Sequence, residues 1–232
     1  MRLRLPAERP TEPPTGYKIA HLMLSQDGIR AGFAGVSLGG ALPYGVLDNA
    51  CCLYGRRHRP PARLCDCGFY CVHDRTAAAA LLCTAEHRMA ALLQVSVLGA
   101  YIRFERGFRY ARQRVRAATV GPCTCGGSAV ALADAGWGRP GWRALVPVCT
   151  RCGHGPTSVP LAGFARLAGE GLQVVAGGGG TGPAPTAQPA AGAEPGVPEL
   201  AAEAALLQAR LDWFQTQLTR LGERGGGEGE DG

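Results

Sequence analysis

An α+β fold built from small metal-stabilised pieces is what this 232-residue sequence predicts, and three observations carry that prediction. Most of the ten cysteines fall into close-spaced groups, several followed by glycine. Short apolar or alternating runs bounded by Gly, Pro and Asp-Gly read as strands, with few helical windows between them. From residue 176 onward the chain turns to Gly, Pro and Ala or to a single helical pattern, which leaves roughly 160 residues for compact structure. The expected order is a small mixed Cys/His module over residues 16–117 and a zinc-ribbon-like β-hairpin module over 121–175. A flexible Gly/Pro/Ala linker over 176–197, a C-terminal amphipathic helix over 198–222 and a disordered acidic tail over 223–232 follow.

The first strand runs through His21-Leu22-Met23-Leu24-Ser25 into a tight turn at Asp27-Gly28, because Asp-Gly suits the positive φ of a hairpin, and Ile29 to Leu38 returns from it. After a loop through Pro43 and Gly45 comes a cysteine-histidine segment from Cys51 to Cys71. A short helix from about Thr76 to Glu86 is predicted by the good helix formers Ala77 to Leu82 behind Asp74 as cap. A strand over Val95 to Phe104 follows, with Ser96, Leu98, Ala100, Ile102 and Phe104 on one face. In the second module, Ala129 to Ala133 and Arg143 to Val148 are the hairpin strands, Trp137 and Trp142 pack near their loop, and a short amphipathic piece covers Leu161 to Ala168. In the tail helix Leu200, Ala204, Leu207, Leu211, Phe214, Leu218 and Leu221 keep a seven-residue repeat. Such a stripe packs on a second copy, on the body of its own chain or on a partner helix.

Cys123, Cys125, Cys149 and Cys152 are expected to hold a structural zinc ion. Two thiol pairs, each followed by glycine, flank a stretch long enough for a hairpin and would bring four soft ligands around a tetrahedral ion. The first pair is Cys-x-Cys in place of the commoner Cys-x-x-Cys, and His154 is available to replace a cysteine or support one. Four thiolates would close the shell, and Asp134 is the one local carboxylate, so the centre reads as structural, not catalytic. A second zinc site is open to one of Cys51 or Cys52 with His58, Cys65 and Cys67. Inert buried thiols are the plain alternative. A low-pKa Cys67 or Cys71 beside His73 would be the enzymatic one, without independent support in the sequence. Cys83 reads as core, and His73 and His87 as ordinary surface or partly packed histidines.

Cys65-Asp-Cys67-Gly68-Phe69-Tyr70, followed by Gly99, Ile102, Glu105, Gly107, Phe108, Arg109 and Ala111, resembles a recurrent module of uncharacterised proteins from high-GC Gram-positive bacteria. The resemblance spans roughly residues 17–115. It implies that Cys52, with Ala50 two positions earlier, is the first ligand of the Cys/His site. The chain departs from the module at Cys71, where alanine is usual, and at Phe104, where a histidine often stands, which implies that Cys71 is a small buried residue. The resemblance implies no activity.

Charge is unevenly placed. Residues 1–122 hold 17 Arg or Lys against 8 Asp or Glu, whereas residues 176–232 hold 3 against 8. Lys18 is the one lysine among 24 basic residues, a bias that suggests GC-rich coding and weakens any argument from arginine number. Placement says more: Arg103, Arg106, Arg109, Arg112, Arg114 and Arg116 face one acid, Glu105, with Phe104, Phe108 and Tyr110 interleaved. Such a segment could track phosphates and stack bases. The alternative is a solvated strand edge with Phe104 and Phe108 in the core. The N-terminal segment shows no export signal and no stretch reaches the length of a membrane span, so a cytoplasmic chain is expected, with thiols available for metal in place of disulfides. The reading is a non-catalytic zinc-binding regulator or adaptor. Its partner is nucleic acid met through the arginine segment, or a protein met through residues 200–221; no small-molecule substrate is apparent.

Overall fold

Strand β1 (Thr15–Ser25) is the axis of the structure, because almost every apolar layer of the protein packs on one of its faces. The computed structural model describes residues 12–36, 42–52, 54–84, 87–153 and 158–177. All of these belong to one compact unit, Met1–Ala187. The heptad helix, the acidic tail, most of the linker and His154 lie outside the described residues.

Period-two alternation sends Ala20, Leu22 and Leu24 to one side of β1 and Ile19 and Met23 to the other, and both sides are covered. Strand β2 (Ala31–Gly35) returns from the Asp27-Gly28 turn and pairs antiparallel with β1, Leu22 opposite Phe33. Ser25 closes the turn: its Oγ donates to Asp27 Oδ1 and accepts from Arg30 N at 2.9 Å. Strands β3 (Leu47–Asn49) and β4 (Phe69–Val72) flank the cysteine-histidine loop. The long strands β5 (Ala91–Arg103) and β6 (Gly107–Val120) form the largest hairpin. Antiparallel ladders join β1 to β5, β5 to β6 and β6 to β4, and one antiparallel pair, Tyr17 opposite Val72, joins β4 back to β1, so the sheet closes on itself as a small barrel. A barrel this narrow is filled by side chains. Phe33, Leu93, Val95, Val97, Tyr110 and Val115 fill it.

Strands β7 (Ala131–Arg139) and β8 (Trp142–Val148) form the second hairpin, and β8 pairs with the C-terminal half of β1, Met23 opposite Ala144. The segments 16–117 and 121–175 therefore share hydrogen-bonded strands. After the two-residue strand β9 (Val159–Pro160), helix α2 (Leu161–Ala168) inserts Phe164, fully buried, edge-on against Phe33 at 6.0 Å between ring centres. Burying one such ring contributes about 1.5–3 kcal/mol. Strand β10 (Gln173–Ala176) runs parallel to the end of β6.

The expected α+β balance gives way to a fold that is mostly antiparallel sheet. The alanine-rich helix is only α1 (Arg75–Ala80) plus a 3-10 turn at Leu81–Cys83. Asp74 caps it as expected, its carboxylate accepting from Ala77 N at 2.7 Å. Only Ala78 of the helix is buried, against Ile19 and Leu92, and the 3-10 turn carries Cys83 out to solvent, not into the core. The predicted facing of β5 is corrected too. The barrel takes the opposite face, Leu93, Val95 and Val97, with Tyr101 packed on the same core beyond a register slip between Leu98 and Tyr101, so that Leu98 and Ile102 are half-buried and Phe104 is 48% exposed while Phe108 is buried. Among the described residues no helix is long and apolar enough to cross a membrane.

Lys18, the sole lysine, lies half-buried on β1 with its Nζ 4.9 Å from the Tyr44 ring centre and 5.1 Å from that of Phe69. Burial pulls its pKa down from 10.5 to about 8, against an upward pull from the nearby Cys71 thiol. Between about pH 8 and 10.5 the unfolded chain thus binds more protons at this site than the fold does, and stability from this group rises with pH across that window. Lys18→Met should therefore raise the melting temperature at pH 7 by about 2–4 °C, roughly 1 kcal/mol once the lost contacts with the two rings are set against the ammonium's burial. The gain should fade above the window. Melts of both proteins across pH 6.5–11 would test this, and a gain independent of pH would refute the assignment.

Candidate metal centres

Two four-residue clusters stand out, and local backbone turns build both. In the first, the loop between β3 and β4 brings Cys52, His58, Cys65 and Cys67 together; in the second, Cys123 and Cys125 precede β7 while Cys149 and Cys152 follow β8, so both pairs meet at the open end of one hairpin. In each cluster one ligand atom per residue lies within 4.8 Å of all the others. A tetrahedral thiolate shell puts sulfurs about 3.8 Å apart when each lies about 2.3 Å from the ion. Cys52 Sγ and Cys65 Sγ are 3.8 Å apart, Cys67 Sγ and His58 Nδ1 3.7 Å, and Cys125 Sγ and Cys149 Sγ 3.4 Å. The donor sets fit a metal ion, and all ten thiols are free of disulfides.

The thiol pairs are followed by turns that fold the backbone back on the sulfurs. Gly126 N donates to Cys123 O at 2.8 Å, and Cys152 N and Gly153 N both donate to Cys149 O, at 3.2 and 2.9 Å. A side chain at Gly127 would meet Cys149 Sγ at 3.2 Å and Cys125 Sγ at 3.5 Å, so glycine keeps that space for the sulfurs. At the first cluster Gly68 has φ of +128°, and a Cβ there would press on Arg109 Cγ at 3.0 Å.

Thiol pKa values are displaced in both clusters, in different directions at different sulfurs. Cys123 is drawn well below the usual thiol range, first by the Cys125 backbone N–H, while Cys152 is pushed up by the sulfurs of Cys125, Cys149 and Cys123 around it. Burial pushes Cys67 up. The exposed Arg151 guanidinium is held more firmly protonated, first by the Cys125 sulfur and then by Cys149.

Exposure differs between the two. Cys65 and Cys67 are buried, Cys52 and His58 half-buried, whereas Cys125 and Cys152 stand in solvent beside the buried Cys123 and Cys149. Cys51 is exposed and outside the first cluster, and Cys71 is buried in the barrel near Lys18 with its pKa raised to about 11 by burial. His73 Nε2 donates to Phe104 O at 3.0 Å, and the ring packs edge-on against Phe108. His87 is buried.

The arginine segment divides on inspection. Arg103, Arg106, Arg112 and Arg116 are exposed and Arg114 half-buried, with Arg116 Nε donating to Ser96 Oγ at 2.9 Å. Arg109 is corrected from a surface contact to an internal strut: it is 5% exposed because the first metal loop folds over it. One guanidinium nitrogen donates to Cys65 O, the other to Ala62 O at 3.1 Å, and Asp66 lies 3.6 Å away. Phe108 and Tyr110 are likewise in the barrel, unavailable for stacking. Charge and spacing do not separate Arg109 from its five neighbouring arginines; its place in the Glu105, Gly107, Phe108, Arg109 run of the resemblance is the one sequence signal that does. Comparison with protein-family models, with curated proteins and with solved structures finds no match for the chain.

Proposed function

We propose that the chain is a non-catalytic zinc protein, a regulator or adaptor whose two zinc ions hold loops in shape and whose activity is binding. The observation that carries this reading is the pair of clusters, each offering four ligand atoms within 4.8 Å. Sulfur-rich sets with one or no imidazole favour zinc over hard cations, which take oxygen ligands. Cys52, His58, Cys65 and Cys67 would hold one ion; Cys123, Cys125, Cys149 and Cys152, at the base of a zinc-ribbon-like hairpin, the other. Four protein ligands fill a tetrahedral shell, leaving no position for substrate or water, as a structural site requires and a catalytic one does not allow.

Native mass spectrometry of the purified protein should count two zinc ions per chain. Cys65→Ser should remove one and Cys149→Ser the other, each leaving its companion. A chain that carries no metal, or whose zinc count survives both substitutions, overturns the reading.

A further inference from the structure

The first metal loop does more than enclose an ion. Between Cys52 and Cys67 it exposes Arg56, Arg57, Arg59 and Arg63, and Asp66 is the one acid among them. The same loop is pressed by Arg109 against the end of the β5–β6 hairpin, where Arg103 and Arg106 are exposed. Asn49 pairs with Arg112 and Ala50 N donates to Ala111 O at 2.7 Å, which sets Arg112 at the foot of the loop. Seven exposed arginines thus come from the metal loop, the hairpin end and strand β6, with Asp66 and Glu105 in those segments, Asp74 next to His73, whose N–H donates to Arg106 O, and Asp48 next to the Asn49–Arg112 pair as the acids near them.

Rings stand within that field. Tyr70 and Phe104 flank the Arg109 guanidinium, 6.0 and 5.8 Å from their ring centres, and each keeps nearly half its surface in solvent, 47% and 48%. Tyr54, 59% exposed, carries Arg56 at 5.9 Å. Large aromatic surface left in water costs free energy that polar residues in the same places would avoid. A field of arginines with exposed rings among them matches a chain that offers phosphates and flat bases together.

We propose that this surface binds single-stranded nucleic acid, with phosphates on Arg56, Arg57, Arg59, Arg103, Arg106 and Arg112 and bases on Tyr70 and Phe104. A duplex keeps its bases stacked inside and would engage the arginines alone. Acidic peptides and anionic membranes share the charge but have no flat faces to stack. The inference rests on the zinc reading in one respect, that the first ion shapes the loop which displays four of the arginines.

The test is fluorescence anisotropy of a fluorescein-labelled oligo(dT) 15-mer and a 15-base-pair duplex, at 25–200 mM salt, on full-length protein as purified, with its zinc counted in parallel. The single strand should bind more tightly than the duplex, with log K falling against log salt by about 0.7 per phosphate engaged. The triple variant Arg56→Gln, Arg57→Gln, Arg59→Gln should reduce that slope by about 2. Phe104→Ala, a change at an exposed ring, should weaken binding about 5- to 150-fold with the slope unchanged. Protein carrying two zinc ions that binds neither probe overturns the surface and leaves the zinc reading standing. Protein without zinc that binds as described does the reverse. Equal affinity for duplex and single strand, indifference to Phe104→Ala, or capture only by phosphatidylglycerol vesicles each overturns the proposal.

Discussion

Treatment with a strong zinc chelator should lower the melting temperature by about 10 °C or more, and zinc returned in slight excess should restore it. The size of the effect follows from where the centres lie. Among its described residues the loop from Ala50 to Gly68 contains no strand or helix, and the large side chains of Tyr54 and Leu64 are exposed, so those residues bury little apolar surface to offset chain entropy without the ion. The second centre clamps the open end of the β7–β8 hairpin, and β8 is hydrogen-bonded to β1. Loosening that clamp reaches the strand on which every core layer packs. Isolated zinc modules draw an apparent 10–16 kcal/mol from their ion. Here the barrel core supplies stability of its own, so a cooperative transition should persist at lower temperature in place of complete unfolding. For a body of this size about 2–4 °C corresponds to 1 kcal/mol, which makes a 10 °C drop the signature of only a few kcal/mol of net metal linkage. Calorimetry with and without chelator measures it directly, and a transition that does not move would sink the structural role of both centres.

The centres should also differ in how readily they give up their ions. Two of four sulfurs in the second centre are exposed, and Arg151 beside them attracts anionic chelators; in the first no ligand residue is exposed, Cys52 and His58 being half-buried and Cys65 and Cys67 buried, in a loop held by Arg109. The second ion is therefore expected to leave first in the same titration.

What was legible in the sequence is what local rules encode. Asp74 caps α1, Asp27-Gly28 turns β1 into β2, and Phe164 marks the buried stripe of α2, because a cap, a tight turn and a 3.6-residue period each show within a few neighbours. Ligand spacing is local in the same sense: each thiol pair lies within one turn of chain. The closure of the barrel was not legible. Nothing near Tyr17 announces that it lies opposite Val72, and nothing near Met23 announces Ala144, since such pairings are selected by packing between distant segments. Alternation in β5 shows that two faces exist but not which one the barrel takes: Val95 and Val97 fill it, and Phe104 belongs to the other face. The helix propensity of Ala77 to Leu82 yields only α1 and a 3-10 turn, with Ala78 buried and Ala79, Leu81 and Leu82 partly buried beside it. Lys18 is the sharpest case, the one Lys, Arg, Asp or Glu of β1, whose two aromatic neighbours come from residues 44 and 69.

Arg109→Ala should empty the first metal centre while leaving the second filled. Three groups of the metal loop depend on this side chain: the carbonyls of Cys65 and Ala62, which accept from its two terminal nitrogens, and the carboxylate of Asp66 at 3.6 Å. Cys65 is itself one of the four candidate ligands, so its carbonyl cannot shift far without moving its sulfur. Truncation leaves the buried Cys65 carbonyl without this donor, at about 1–3 kcal/mol, and leaves Ala62 O with only the bond from Cys65 N at 3.2 Å. It also removes the plug on which Gly68 rests. The expected loss is about 2–5 kcal/mol of stability, with native mass spectrometry showing one zinc ion per chain. Arg109→Lys should fail almost as badly, because a single ammonium on a flexible stem cannot span two carbonyls and a carboxylate as a planar guanidinium does. By contrast, Arg106→Ala, three residues away and exposed, should keep both ions and the full melting temperature. If Arg109→Ala and Arg106→Ala behave alike, the contacts that tie β6 to the metal loop contribute nothing to holding it.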